Sequence, residues 1–247
     1  MHFDVLTLFP ELIDTYLESS IMGRAKDKGV FSWTSRQIRD HAIDDYGRVD
    51  DTLYGGGRGM LMLSQPVYDS WLEAGGCVAN PKQKTLFLSP KGRVFNQSLA
   101  KELLAYDQII LLCGHYEGVD QRVLDEIQAT EVSLGDFVIS GGELGAMAII
   151  DCLVRMLPGT LPDESAFEEE SHYHGLLESR QYTKPQVWQD RAVPDILLSG
   201  DHKKIDHYRY MDSLNETLVK RPDMFDRLDL SPETLKDFLN WRKENME

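Results

Sequence analysis

Cysteine is scarce in this 247-residue chain: Cys77, Cys113 and Cys152 are an odd number, far apart, with no C-x-x-C pair. No disulfide framework can be read from them, and each lies in or beside an apolar stretch, so buried thiols in a reducing compartment are expected. Positive charge is short as well, with 26 Lys and Arg against 41 Asp and Glu and a formal net charge of −15. That excludes a broad basic surface of the kind that holds nucleic acid without specificity, because phosphate neutralisation dominates such binding. Any RNA contact must run through local basic clusters and a shaped pocket. No apolar run approaches the roughly 18 residues that suggest a membrane helix. The start of the chain carries Asp4, Glu11, Asp14 and Glu18, not the basic-then-apolar order of a signal peptide. A cytoplasmic protein without a membrane partner is expected.

The familiar phosphate loops are also missing. The stretch "SLGDFVISGGELGAM" (133–147) holds Gly135, Gly141, Gly142 and Gly145. It contains neither a G-x-G-x-x-G that follows a strand nor a G-x-x-x-x-G-K followed by Ser or Thr. Its glycines permit close approach to a ligand, and that ligand need not be a phosphate.

What is present reads as α/β. Residues 2–9 predict a strand that Pro10 ends, and Leu12, Ile13, Tyr16 and Leu17 then recur at helical spacing. Residues 30–38 predict a second strand, and residues 39–64, with "LYGGGRGMLM", read as polar loop. From Thr85 the pattern becomes regular: a strand at 85–88, a turn at 89–93 ("SPKGR"), and a helix marked by Leu99, Leu103 and Leu104. A wholly apolar strand at 108–113 precedes the turn "GHYEG" (114–118) and a helix over 119–128 with Val123, Leu124 and Ile127 inward. A strand at 136–140 ("DFVIS") then leads through "GGE" into a long apolar helix that Pro158 and Gly159 stop. Strands alternating with helices imply a parallel sheet flanked by helices, so the three glycine-bearing loops should meet at its carboxyl edge. Residues 160–175 carry five acids with no apolar period and read as an exposed linker. Beyond Tyr182 the pattern is helical. Ile205, Tyr208, Met211, Leu214 and Leu218 share a face behind an Asp201 N-cap, and Ser231 and Pro232 open a last helix carrying Leu235, Phe238 and Leu239.

The motifs "YGGGRGMLM", "LSPKGR", "CGHYEGVDQR", "GDFVISGGELGAM" and "YTKP", in that order over essentially the whole chain, resemble the bacterial tRNA (guanine-N1)-methyltransferases of the SPOUT superfamily. The resemblance implies methyl transfer from S-adenosylmethionine to N1 of the guanine immediately 3′ of the anticodon in tRNA. It also implies a deep trefoil knot on the C-terminal side of the α/β region and a homodimer with active sites at the subunit interface. Residues 1–160 would form the S-adenosylmethionine-binding domain, 161–175 a flexible linker and 176–247 a small helical tRNA-binding domain. Carried over, the cofactor contacts are Leu88, Ser89, Pro90 and Gly92; Gly114, Tyr116, Glu117 and Gly118; and Leu134, Gly135, Asp136, Phe137, Val138, Ile139, Gly141 and Gly142. Contacts with tRNA fall on Gly57, Arg58, Gly59, Ser165, Lys203, Lys204 and Arg209, with Arg24, Lys26 and Lys28 as further phosphate contacts.

Guanine N1 is protonated at neutral pH, so a carboxylate must remove its proton and a cation must meet the charge that spreads to O6. By resemblance Arg155 supplies the cation, and Glu170 stands where the family carries Asp. Glu keeps the charge but reaches one methylene further, so the linker must shift to compensate or a neighbour, Glu168 or Glu169, serves as the base. Gly145 and Arg58 also depart, both standing where the family commonly has Pro. The alternative reading is a non-catalytic or weakly active RNA-binding relative in which the Asp-to-Glu change abolished turnover. A metal hydrolase built on His172, His174 and the neighbouring glutamates lacks a third fixed ligand, so no metal site is expected. The family reaction is associated with magnesium, for which no dedicated site is legible.

Overall fold

The structure is a computed structural model and describes residues 1–163, 167–168 and 170–246. The chain divides into two compact units, Met1–Glu164 and Ser165–Glu247, with the division inside the acidic stretch.

The first unit begins with β1 (His2–Thr7), α1 (Pro10–Leu17), α2 (Ser20–Asp27) and β2 (Ser32–Gln37). Pro10 both ends the strand and opens α1 at a position where its missing N–H costs nothing. The 39–64 segment, expected as loop, contains a short antiparallel pair, β3 (Asp50–Thr52) and β4 (Met60–Met62), followed by α3 (Ser64–Glu73). Next come β5 (Gln83–Val94), α4 (Gln97–Leu103), β6 (Gln108–Cys113), α5 (Gln121–Glu126), β7 (Thr130–Ser133) and α6 (Glu143–Arg155). Five of these strands form one parallel sheet in the order β2-β1-β6-β5-β7. At its centre Ile109 to Cys113 are completely buried. A parallel strand covered on both faces reads as a continuous apolar run, as β6 does.

Two expectations near the carboxyl edge need correction. The turn at 89–93 lies within β5: Leu88 and Arg93 both pair with Val132, so residues 89–92 loop out of a strand that then resumes. The strand expected at 136–140 is a bend. Phe137, Val138 and Ile139 are 54%, 81% and 40% exposed, and the strand is the less apolar "TEVS" just before it. β7 is an edge strand paired only with β5, so it needs less apolar character, whereas the apolar run faces the cavity.

In the second unit, the region after Tyr182 opens not with a helix but with a small hairpin, β8 (Val187–Trp188) and β9 (Arg191–Ala192), turned by Gln189 and Asp190 at positive φ. Then come α7 (His202–Lys220), α8 (Pro222–Phe225) and α9 (Pro232–Met246). Asp201 caps α7 by accepting from the Lys204 N–H, and Ser231 Oγ accepts from the Thr234 N–H at the head of α9. Tyr208, Met211, Leu214, Phe238 and Trp241 form this unit's core. On α9, Phe238 and Trp241 are buried, while Leu235 and Leu239 are exposed. Of the cysteines, Cys113 is buried and Cys152 half-buried, but Cys77 is exposed, because it lies in the loop after α3.

Candidate active site

Three segments at the carboxyl edge wall a cavity of about 510 Å³ in the first unit, within the size range of small-molecule sites. The first is the 89–92 excursion. Ser89 Oγ donates to Glu131 Oε2 at 2.6 Å and accepts from the Lys91 N–H at 3.2 Å, which ties the excursion to β7. Gly92 lies against the peptide joining Glu131 to Val132, where a Cβ would sit 2.3 Å from backbone atoms.

The second segment, 114–118, turns through Tyr116 (φ 56°) and Gly118 (φ 121°). β4 pins it from one side: the Glu117 N–H donates to Met60 O, and the Met62 N–H donates to Gly118 O. The third, 134–142, turns at Gly135, whose N–H donates to Ser133 Oγ. It ends where the Gly142 N–H donates to Gly114 O at 3.0 Å. There a Cβ on Gly142 would lie 2.6 Å from Cys113 Cα, so the second and third segments touch backbone to backbone.

His115, in the second segment, carries a polar cluster into the interior. His115 Nε2 is 2.8 and 2.9 Å from the two oxygens of Glu143, and Thr7 Oγ1 donates to Glu143 Oε1 at 2.6 Å. Glu143 is buried in the first turn of α6, where the helix N-terminus favours a negative charge. Burial, and then the nearby Glu143 charge, push the Cys113 thiol well above its ordinary value, so it is a neutral, unreactive thiol.

Of the predicted cofactor contacts, Leu88, Ser89 and Pro90, then Gly114, Tyr116, Glu117 and Gly118, then Leu134, Phe137, Val138, Ile139, Gly141 and Gly142 line the cavity. Gly92, Gly135 and Asp136 do not; the two glycines shape the loops from behind, and Asp136 is exposed. Gly145, singled out among the loop glycines, also lines it, and sequence reasoning missed His115 and Glu131, which do so too. His115 was legible inside "GHYEG", whereas Glu131 depended on a strand that was not read. Among the lining residues the charges are Glu117, Glu131 and Lys91, beside His115. The remaining lining mixes apolar side chains and glycine backbone with the polar groups of Ser89, Tyr116, Gln121, Ser133 and Ser140, and no arginine is among the lining residues.

Arg155 is half-buried in the last turn of α6 and is not a lining residue. Ten residues separate it from Gly145, roughly 15 Å along the helix at 1.5 Å per residue. Glu170 lies in the second unit, in a bend where its N–H donates to Phe167 O and its carbonyl accepts from the Tyr173 N–H, each at 3.3 Å. Glu168 is exposed, while Glu169 and Ser165 fall outside the described residues. Gly57, Arg58 and Gly59 are exposed between β3 and β4, as are Lys203, Lys204 and Arg209 on α7. Arg24 is exposed, Lys26 sits 4.9 Å from the Trp33 ring centre, and Lys28 donates to Gly159 O. Among the described residues no group of three His, Cys, Asp or Glu side chains is placed to hold a metal ion, and no helix is long and apolar enough to cross a membrane.

A parallel sheet whose carboxyl-edge loops wall a cavity of this size has the arrangement in which open α/β proteins place a small-molecule site. Residues 1–227 match the family described as tRNA (Guanine-1)-methyltransferase TrmD. Curated relatives named tRNA (guanine-N(1)-)-methyltransferase align over nearly full length. The protein from Ruminiclostridium cellulolyticum is 47% identical over 228 residues, 92% of this chain and 97% of its own. That from Clostridium beijerinckii is 44% identical over 240 residues, 97% and 98% of the two chains. That from Clostridioides difficile is 44% identical over 227 residues, 91% and 97%. The chain belongs to the tRNA (guanine-1)-methyltransferase family, and it is an enzyme.

Proposed function

We propose that this protein transfers a methyl group from S-adenosylmethionine to N1 of the guanine immediately 3′ of the anticodon in tRNA. The observation that carries the reading is the three-loop cavity in a chain that matches the family over residues 1–227. S-adenosylmethionine suits that cavity: it has no phosphate, its adenine can be read by backbone groups, and its positive charge is compatible with Glu117 and Glu131 in the lining. Leu88, Ser89, Pro90, Gly114, Tyr116 and the 134–142 loop would hold it. When bound, it supplies an electrophilic methyl group on a sulfonium.

The chain's own groups act on the guanine. The Glu170 carboxylate takes the N1 proton, exposing the nitrogen lone pair as a nucleophile. The Arg155 guanidinium meets the negative charge that spreads to O6 as the proton leaves. The separation of Arg155 from the cavity along α6 supports a homodimer in which one copy's Arg155 serves the other's cavity. Exposed Leu12 and Leu144 on α1 and α6 support self-association through the same region. A trefoil knot built from the 134–142 segment belongs to the same reading, supported by the tight passage of Gly142 against Cys113. Residues 176–247 serve as a tRNA-binding domain, with Lys203, Lys204 and Arg209 on phosphates, joined through 161–175. Gly57, Arg58, Gly59 and Ser165 contact tRNA near the target base. The reading implies a cytoplasmic enzyme.

Incubation with methyl-labelled S-adenosylmethionine and tRNA transcripts, followed by mapping of the modified base, tests it. One N1-methylguanine 3′ of the anticodon is expected. Absence of incorporation by folded protein, or methylation elsewhere, overturns the reading.

A further inference from the structure

His115 stands between two walls of the cavity. Its ring packs against Gly141 so closely that a Cβ there would lie 2.2 Å from His115 Cε1 and 2.5 Å from Nε2. Its Nε2 also reaches both oxygens of Glu143, the first residue of α6. Glu143 is 4% exposed, and Thr7 at the end of β1 also donates a hydrogen bond to it. The Phe9 ring packs against the imidazole at 5.1 Å between ring centres, with the two planes tilted by 59°. The polar chain Thr7–Glu143–His115 therefore joins three elements around the Gly141–Gly142 turn: the end of β1, the start of α6 and the loop after β6.

Glycine makes that junction both close and loose. Neither Gly141 nor Gly142 has a side chain to fix it, and glycine surrenders more conformational freedom on ordering than any other residue. A buried carboxylate left without one of its donors costs more than an ordinary lost hydrogen bond, so the His115 contact strongly biases the position of the turn.

We infer that His115 is a positioning residue for the methyl-transfer reaction: through its hydrogen bond to buried Glu143 it holds the Gly141–Gly142 turn in the shape that receives the methyl donor. This rests on the proposed function for the identity of the ligand, but the positioning itself is a property of the free protein. The effect acts on a wall of the cavity and not on the sulfonium, so S-adenosylmethionine and its neutral demethylated product must lose affinity together.

The test uses the full chain with three variants. His115→Phe keeps a flat ring without the donor, His115→Asn keeps polarity but is too short to reach Glu143, and His115→Gln keeps a donor at comparable reach. Calorimetry with each ligand and amide exchange over residues 140–146 of the ligand-free protein are measured. In His115→Phe and His115→Asn, affinity for both ligands is expected to fall by the same factor, on the order of 10-fold or more, with faster exchange at Gly142. His115→Gln stays close to the parent. Should His115→Phe fail to fold, the comparison of His115→Asn with His115→Gln decides alone. Parent-like exchange and binding in His115→Asn overturns the inference, as does a loss confined to the sulfonium ligand or a His115→Gln as weak as His115→Asn. If the parent binds neither ligand, the functional reading falls, and the exchange result still decides the role of His115.

Discussion

Gly142 and Gly118 both line the cavity, yet the backbone makes different demands of each. Gly142 has an ordinary φ of −77°, and its constraint is space, since a Cβ would press on Cys113 Cα at 2.6 Å and Leu88 Cβ at 3.0 Å. Gly118 has open space around it but a φ of 121°, a conformation L side chains rarely adopt. Gly142→Ala must therefore push two segments of the cavity apart and should weaken binding of S-adenosylmethionine while costing about 1–3 kcal/mol of stability, as overpacking does. Gly118→Ala should cost a similar ~1–3 kcal/mol through backbone strain, with a smaller loss of affinity. Thermal unfolding with parallel ligand titration separates the two; equal affinity losses would contradict this assignment. At Glu170 the demand is chemical. Glu170→Gln should fold and bind the methyl donor normally but lose roughly 10²–10⁴ in single-turnover rate, partly restored at high pH because guanine N1 then ionises unaided. Glu168→Gln should methylate at the parent rate. If Glu170→Gln does so instead, another group is the base. Glu170→Asp reports whether the segment has adjusted to the longer side chain: gain or retention of rate means it has not.

Between elements, α1 and α6 are joined by the Tyr16 hydroxyl, which donates to Asp151 Oδ2 at 2.6 Å. That hydrogen bond first, then burial and the Asp151 charge, push the Tyr16 phenol up to about 12 from an ordinary 10.0. A group that holds its proton more tightly in the folded state contributes stability that is fully present below its unfolded value. The contribution is lost as pH rises from about 10 through 12. The parent should therefore lose stability over that interval more steeply than Tyr16→Phe, measured by denaturant unfolding at a series of pH values; parallel curves would rule the contact out as a contributor. Because Tyr16 is exposed, the difference should be small. Element types were legible wherever composition and burial agree, as at β1, β6, α6 and α7, whose apolar patterns face a core. They were misread where an apolar run serves another purpose. "DFVIS" has the composition of a strand but faces the cavity, and the "TEVS" edge strand is too short and polar to stand out. The 89–92 excursion was legible as a turn from Pro90 and Gly92, but not its return to the same strand, because that depends on a neighbour supplied by Val132. For the same reason the glycine loops could be named from sequence while the Thr7–Glu143–His115 chain could not. Thr7 and Glu143 are 136 residues apart and no local pattern relates them.

For the whole molecule the net charge of −15 means that tRNA meets general repulsion and must be held by few cations. If Lys203 and Lys204 each touch a phosphate, removing both should lower the slope of log affinity against log salt by about 1.4–1.8 and leave binding of S-adenosylmethionine unchanged. An unaltered slope would take both lysines off the RNA. The proposed dimer admits a sharper test. Within one chain the cavity lies near the start of α6 and Arg155 at its end, so a site shared between copies divides the two requirements between different subunits. Arg155→Ala should bind S-adenosylmethionine normally and lose turnover, since its cation meets charge that develops only in the transition state. Gly142→Val, with a branched side chain where even a Cβ has no room, should lose binding and keep Arg155. Each homodimer is then inactive. A hybrid of the two carries one site in which both requirements are met, and random pairing makes hybrids half of all dimers. Co-expressed variants should therefore recover about a quarter of parent activity, as symmetry of a two-fold interface requires. The recovered activity should follow the hybrid fraction when differently tagged subunits are separated. If tagged hybrids form and remain inactive, each cavity uses the Arg155 of its own chain, and the path from the start of α6 to its end must be bridged within one copy.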